Sequence, residues 1–216
     1  MKKVIDLTQS IVEGGYNNPA FDDGKVEICM DYATHDWHAE VYTAATHVGT
    51  HTDAPMHKID GGKPLSAYPV TRYFGKAVFV DLRHLKERAL IGRADLENTE
   101  INEGDFVVLY TGWDRYRTEE TKDKYLNESP GLGPDGAKYL VEKKAGVAMI
   151  DHFSVGGTGE TCAETHEILM NADILITEGL KIPQEVLEEK DWNIVIAPML
   201  LDDCSGAPTR VFVYKD

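Results

Sequence analysis

Continuous apolar blocks along the chain place the strongest constraint on its fold. Residues 77–80 read Ala-Val-Phe-Val and residues 106–109 read Phe-Val-Val-Leu, without the alternation of polar and apolar residues typical of a half-exposed strand. Such blocks are typical of strands that are covered on both faces. The predicted strands are residues 4–7, 26–30, 40–45, 77–82, 106–110, 147–150, 174–177, 194–197 and 211–214.

Helical patterns lie between the later strands. Pro134 can occupy the first turn of a helix, and apolar residues recur at helical spacing from there until Gly146. Thr161 and Glu164 fit a capping box at the start of a second helix. A short helix is expected over residues 183–190, and a charged helix or excursion over residues 115–126. Early strands followed by β-α-β alternation predict an α/β fold. The sequence shows no linker and no internal repeat, so we expect residues 1–216 to form a single domain.

Composition excludes several classes of function. The 216 residues carry a formal net charge of −15, which argues against nucleic acid or an anionic membrane as a partner. Cys29, Cys162 and Cys204 are scattered, and this pattern predicts no disulfide framework and a cytoplasmic protein. Residues 1–6 carry an acid where the apolar part of a signal peptide would begin, and no apolar run reaches the length of a membrane-spanning helix.

Four candidate metal ligands lie within the eleven residues 47–57. His47, His51, Asp53 and His57 all occupy odd positions, so an extended strand would direct the four side chains to one face. A helix would place Asp53 roughly opposite His51. We therefore predict an extended or turning segment whose imidazoles and carboxylate suit zinc, manganese or iron.

The roles within this run remain open at this stage. A metal held by His47, His51 and Asp53 would leave positions for water, whose pKa it would lower, and it could polarise a substrate carbonyl. His57 follows the turn at Pro55. It could be a further ligand, or it could remain free as a general acid/base that moves a proton to a leaving group.

A second candidate half of the site lies between residues 161 and 180. His166 falls in the helix predicted after Thr161, and Glu178 ends the apolar strand 174–177. A carboxylate after a buried strand needs a partner or a metal. With the first run, this pair would suffice for one open metal site or for two metals bridged by Asp53.

Residues 47–57 resemble the H-x-G-T-H-x-D-x-P-x-H signature of the cyclase family of metal-dependent hydrolases, which includes bacterial kynurenine formamidases and isatin hydrolases. Every fixed position is present. Residues 4–8, 146–151 and 166–180 resemble further blocks of the family, so the resemblance spans nearly the whole chain.

The resemblance implies a mixed-sheet swivelling β/β/α domain assembled as a homodimer or homotetramer. By motif match, His47, His51 and Asp53 would hold one divalent ion. Asp53, His166 and Glu178 would hold a second ion in members with two zincs, whereas other members use a single manganese. His57 would be the catalytic acid/base.

The chain departs from the family near its start. Kynurenine formamidases carry a Trp-Pro-Gly-Asp-like run before the motif, and residues 14–36 lack it, which argues against kynurenine as the substrate.

The glycine-rich loop 156–159 could close over a ligand. His152 could face the substrate or the surface, and loop 61–65 could shape the mouth of the site or only connect elements. Candidates for an aromatic wall around a cyclic substrate are Tyr16, Phe21, Trp37 and Phe74.

The expected function is metal-dependent hydrolysis of a cyclic amide, an aryl formamide or a related small carbonyl compound. Two alternatives come from other classes. A non-enzymatic metal-binding or ligand-sensing protein would have a closed coordination sphere. An iron-dependent redox enzyme would use the two-histidine, one-carboxylate set, which also suits ferrous oxygenases.

Overall fold

The structure is a computed structural model that describes residues 3–12, 15–22 and 24–215. Met1 and Lys2, which enter the signal-peptide expectation, and Gly14 in the N-terminal segment lie outside these ranges. The strands are β1 (Lys3–Asp6), β2 (Lys25–Met30), β3 (Ala39–Thr43), β4 (His51–Asp53), β5 (Phe74–Asp81), β6 (Leu90–Ile91), β7 (Phe106–Tyr110), β8 (Gly131–Leu132), β9 (Val147–Ile150), β10 (Leu175–Glu178), β11 (Trp192–Pro198) and β12 (Gly206–Lys215).

The helices are short and lie mostly in the second half of the chain. They are α1 (Tyr32–His35), α2 (Arg93–Leu96), α3 (Lys122–Asn127), α4 (Pro134–Glu142) and α5 (Cys162–Asn171). Within the described ranges, no helix has both the length and the apolar character needed to cross a bilayer.

Eight strands form one mixed sheet in the order β1-β12-β11-β5-β7-β9-β10-β4. Strands β5, β7, β9 and β10 run parallel to one another, and the remaining pairs are antiparallel. Strand β12 also pairs with β4, so the sheet closes on itself like a barrel. This architecture confirms the predicted mixed α/β fold class.

The apolar block 106–109 is buried on both faces, as predicted, whereas residues 77–79 of the other block pack against both cores but are only partly buried. Phe106, Val108 and Tyr110 of β7 join one core cluster with side chains from β11 and β12. Val107 and Leu109 point to the other face and join a cluster that α4 and α5 cover. A strand between two cores needs apolar residues at every position, which explains the lack of alternation.

Each predicted strand is present, but several local predictions were wrong. Thr161 precedes α5 without making a side-chain cap, so the capping box does not form. The helix expected over residues 183–190 is a 3₁₀ turn at Gln184–Leu187. The charged segment 115–126 divides between 3₁₀ turns and α3. Short strands β6 and β8 were not predicted, because two residues carry no periodicity.

Strands β2 and β3 form a separate hairpin whose residues are largely exposed. The hairpin carries large apolar side chains, including Ile28 at 65% exposure and Trp37 at 71%. A two-stranded hairpin is marginally stable by itself in water. An apolar surface of this kind is typical of a contact with another protein.

Candidate metal centre

The run 47–57 folds as a turn, a short strand and a second turn. Only His51 and Asp53 share a strand, where their two-residue spacing places both side chains on one face of β4. His47 lies in the preceding turn, which Gly49 makes possible with φ of +64°. His57 ends the 3₁₀ turn Pro55–His57. The side chains converge as expected, although most of the run is turning rather than extended.

Strand β10 brings the second half of the site beside the first. Glu178 is in register with His51 in the antiparallel pair β10–β4, and its Oε2 lies 3.3 Å from His51 Nε2. Helix α5 packs against this sheet and places His166 Nε2 at 3.2 Å from Glu178 Oε1. Residues more than a hundred positions apart therefore meet in one buried cluster.

Among the residues that the structure describes, two groups of three side chains have the geometry of metal ligands. His47, His51 and Asp53 form one group, and Asp53, His166 and Glu178 form the other. Within each group the candidate ligand atoms lie within 4.8 Å of one another. Asp53 belongs to both groups and could bridge two ions. These are the groupings that the sequence predicted, and their role as ligands stays a prediction.

The Asp53 carboxylate provides a direct test of whether a metal fits. The residue is fully buried, and its Oδ2 atom has no hydrogen-bond partner among the described residues. A buried carboxylate oxygen without a partner is costly. A divalent cation between Asp53 and its histidines would satisfy that oxygen, so the donor set fits a metal.

Charge coupling within the cluster opposes the effect of burial. Burial disfavours charge on His51, but the carboxylates of Asp53 and Glu178 raise its pKa to about 9. Burial would raise the pKa of Glu178, yet hydrogen bonds from His166 and His51 hold it below its usual value. Burial would likewise raise the pKa of Asp53, and His51 and His47 lower it. The cluster therefore keeps its acids ionised, as metal ligands must be.

His57 lies over the first ligand group rather than inside it. Its ring centroid is 3.9 Å from that of His47 and 6.1 Å from that of His166. Burial lowers the pKa of His57, while Asp53 opposes this change and His47 reinforces it. A neutral imidazole here can accept a proton near neutral pH.

A cavity of about 350 Å³ opens onto the cluster and is lined by His57 and four of the candidate ligands, His47, His51, His166 and Glu178. Phe21 and Phe153 supply apolar walls, and Phe21 stacks on His47 with 5.5 Å between ring centroids. Polar lining comes from Asn18, Lys58 and Glu160. The cavity can admit a small molecule to the ligand atoms.

The remaining candidate residues lie partly at this cavity and partly elsewhere. Among the four aromatic candidates only Phe21 lines the cavity, and Trp37 lies on the exposed hairpin. His152 faces neither substrate nor surface: it is fully buried, its Nε2 lies 2.8 Å from the Tyr125 carbonyl oxygen, and burial lowers its pKa to about 4. Gly159 of the glycine-rich loop lines the cavity, whereas loop 61–65 does not.

Sequence reasoning missed the contribution of β12. Gly206 pairs with Asp53, and a Cβ atom there would lie 2.5 Å from His47 Cε1. Ser205 places its Oγ 3.0 Å from His47 Nε2. Gly206 precedes the predicted strand 211–214 by a few residues, and this position in the sequence does not reveal a pairing with the distant strand β4.

Comparisons with known proteins identify the family to which the chain belongs. By its fold, its relatives and its buried cluster of candidate metal ligands, the protein falls in the class of metal-dependent hydrolases. Residues 5–156 match the family model described as "Putative cyclase", and the chain belongs to this family. The resemblance noted from the sequence is thereby confirmed.

Individual relatives extend over most of the chain. Kynurenine formamidase of Geobacillus thermodenitrificans (strain NG80-2) is 30% identical over 175 residues, which are 80% of this chain and 78% of the relative. A solved structure described as a potential metal-dependent hydrolase with cyclase activity is 27% identical, with a TM-score of 0.81 and coverage of 100% of this chain and 99% of that chain. Isatin hydrolase A of Labrenzia aggregata shares the fold, with a TM-score of 0.87 at 19% identity and coverage of 99% and 93%.

Proposed function

We propose that this protein hydrolyses a non-peptide C–N bond in a small carbonyl compound, either a cyclic amide or an aryl formamide. The observation that carries the proposal is the shared carboxylate of Asp53, which lies in two ligand groups beneath an open cavity. The open cavity argues against a coordinatively closed metal-binding protein, because a substrate can reach the ligand atoms.

The proposed metal is zinc or manganese. His47, His51 and Asp53 would hold one ion, and Asp53, His166 and Glu178 would hold a second where two are bound. When bound, a divalent metal at this centre would supply an acidified water and polarise the substrate carbonyl.

The protein's own groups would position the substrate and move the proton. Phe21 and Phe153 offer faces on which a ring can pack beside the ligand cluster. We assign His57 as the catalytic acid/base, since it is half-buried beside the His47 ring and lines the same cavity. The oxygen of water joins the carbonyl carbon while a proton of that water goes to His57, the C–N bond breaks, and His57 passes this proton to the departing nitrogen.

The substrate classes follow from the relatives and from the cavity walls. The name kynurenine formamidase indicates an aryl formamide as the substrate, and the name isatin hydrolase indicates isatin, a cyclic amide. The N-terminal departure, which includes Asn18 and Phe21 at the cavity, argues for a ring system other than kynurenine. We therefore propose a substrate in which the C–N bond that is hydrolysed lies within, or is attached to, an aromatic or cyclic ring.

Metal removal tests the proposed function. Protein stripped of metal by a chelator should turn over an aryl formamide and a cyclic amide about a hundredfold more slowly, or slower still. The reason is that a bound metal lowers the activation barrier of such a reaction by several kcal/mol. Zinc or manganese should restore turnover. Unchanged turnover in stripped protein would contradict the mechanism, and iron on elemental analysis together with oxygen uptake would favour a redox enzyme instead.

We also propose a homodimer or homotetramer, with the β2–β3 hairpin as a contact between copies. The support is the exposed apolar surface that includes Ile28 and Trp37. Ile28→Asp should lower the mass measured by light scattering. The matched variant Leu90→Asp, at a residue 51% exposed away from the hairpin, should not. An unchanged mass for Ile28→Asp would exclude the hairpin as the contact.

We propose that residues 1–216 act as one domain in the cytoplasm, without a nucleic-acid or membrane partner. Cys29, Cys162 and Cys204 are all free thiols, which suits a reducing compartment.

A further inference from the structure

Each histidine of the cluster uses one ring nitrogen inside the site and the other outside it. The Nδ1 atom of His51 lies 3.0 Å from the Gly49 carbonyl oxygen, and the Nδ1 atom of His166 lies 2.8 Å from the Cys162 carbonyl oxygen. A carbonyl oxygen only accepts hydrogen bonds, so in both rings Nδ1 carries the proton and donates it. Nε2 is thereby directed at the carboxylates, and it is the nitrogen that a metal would bind in exchange for a proton.

His47 has the opposite arrangement. Its Nδ1 lies 2.7 Å from Asp53 Oδ1, inside the ligand group, and its Nε2 lies 3.0 Å from Ser205 Oγ. The ring is confined between the Phe21 ring and the backbone at Gly206, where even a Cβ atom would collide with it. Nδ1 is therefore the nitrogen available to a metal, and Nε2 must keep the ring proton.

Two acceptors compete for the proton of this ring. The Asp53 carboxylate is the stronger acceptor, because hydrogen bonds to charged groups are stronger than those between neutral groups, and it draws the proton to Nδ1. A metal can bind Nδ1 only when that proton is absent. The competing position at Nε2 then needs an acceptor of its own, and Ser205 Oγ is the acceptor within reach.

We propose that Ser205 is a positioning residue that fixes the metal-binding tautomer of His47. This inference rests on the proposed metal site. A hydroxyl suits the task because it donates to Nε2 when Nδ1 holds the proton and accepts from Nε2 when Nδ1 binds the metal. His51 and His166 obtain the same support from backbone carbonyls, so Ser205 is the side chain on which the tautomer of His47 depends.

The backbone holds Ser205 in place relative to the ligands. The Ser205 carbonyl oxygen accepts a 2.8 Å hydrogen bond from the Ala54 amide, directly after Asp53. Gly206, the next residue, is in register with Asp53 in the β12–β4 pair. The hydroxyl therefore keeps a fixed position relative to the strand that carries His51 and Asp53.

Zinc affinity of stripped protein tests the role of Ser205. Ser205→Ala should weaken zinc binding by about 10–100-fold in a chelator competition, the range found when the outer partner of a metal ligand is removed. Ser205→Thr restores a hydroxyl and should bind within a few-fold of the wild type. The control Ser66→Ala removes a hydroxyl that accepts from the Asp203 amide in the same loop, without touching His47, and should leave affinity unchanged.

A spectroscopic measurement on the wild-type protein tests the tautomer directly. In the zinc-loaded protein, long-range proton–nitrogen correlation NMR should show the His47 proton on Nε2. A proton on Nδ1, or wild-type affinity in Ser205→Ala, would overturn the inference about Ser205 while zinc binding itself persists. A wild-type protein that binds neither zinc nor manganese would overturn the proposed metal site and this inference together.

Discussion

Asp53→Asn is expected to abolish metal binding and turnover together. The substitution keeps the shape of the side chain but replaces the carboxylate common to both ligand groups with a neutral amide. Loss of one outer partner of a ligand costs about 10–100-fold in metal affinity, so loss of a shared ligand should cost more than about a hundredfold. Elemental analysis after gel filtration and zinc competition with a chelator measure the change.

Asp151→Asn is the matched control for this experiment. Asp151 is also a fully buried carboxylate, and it directly follows strand β9, which β10 separates from β4. Its Oδ1 accepts from the Thr111 amide and hydroxyl, and its Oδ2 accepts from the Trp113 amide at 3.0 Å. Asp151→Asn should lower thermal stability yet retain the metal of the wild type. Asp53→Asn protein with wild-type zinc affinity would contradict the proposed centre.

The two buried carboxylates of Asp53 and Asp151 differ in how the protein pairs their oxygens. The protein satisfies both oxygens of Asp151 with its own donors. At Asp53 it satisfies Oδ1 and leaves Oδ2 buried without a partner among the described residues. Buried polar groups are normally paired, and an unpaired carboxylate oxygen beside histidines is a position that a cation would satisfy.

The sheet was predictable because its strands carry their own signal. In β7 every residue from Phe106 to Tyr110 is apolar and buried, and in β9 the same holds from Val147 to Ile150. Helix starts were less predictable. Thr161 and Glu164 have the spacing of a capping box, but the chain enters α5 with φ of −85° and ψ of 0° at Thr161, outside the extended region typical of that cap.

The candidate site was predictable where its residues cluster in the sequence. His51 and Asp53 follow from strand alternation, and His166 with Glu178 follow from a helix that precedes a buried strand. Ser205 and Gly206 could not be found in this way, because only the β12–β4 pairing places them beside His47. The prediction for His152 was wrong for a similar reason, since tertiary packing brings the Tyr125 carbonyl oxygen within hydrogen-bond distance of its Nε2 atom.

His57→Gln is expected to reduce kcat by about 10²–10⁴-fold, the usual contribution of a general acid/base, while zinc content stays at the wild-type value. His57 lies outside both three-residue ligand groups, and its ring packs on His47 at the cavity. Gln keeps a polar side chain of similar length but cannot carry the proton. Steady-state kinetics and elemental analysis on the same sample separate the two effects.

His51→Gln provides the comparison that assigns the role of His57. His51 Nε2 faces Glu178 within the ligand cluster, so its removal should release zinc as well as activity. Added imidazole should partly restore turnover in His57→Ala, where a free ring can enter the vacated space and transfer the proton, but not in His51→Ala. If His57→Gln loses zinc as His51→Gln does, His57 is a ligand. If its kcat stays within a few-fold of the wild type, the proton reaches the departing nitrogen from another group.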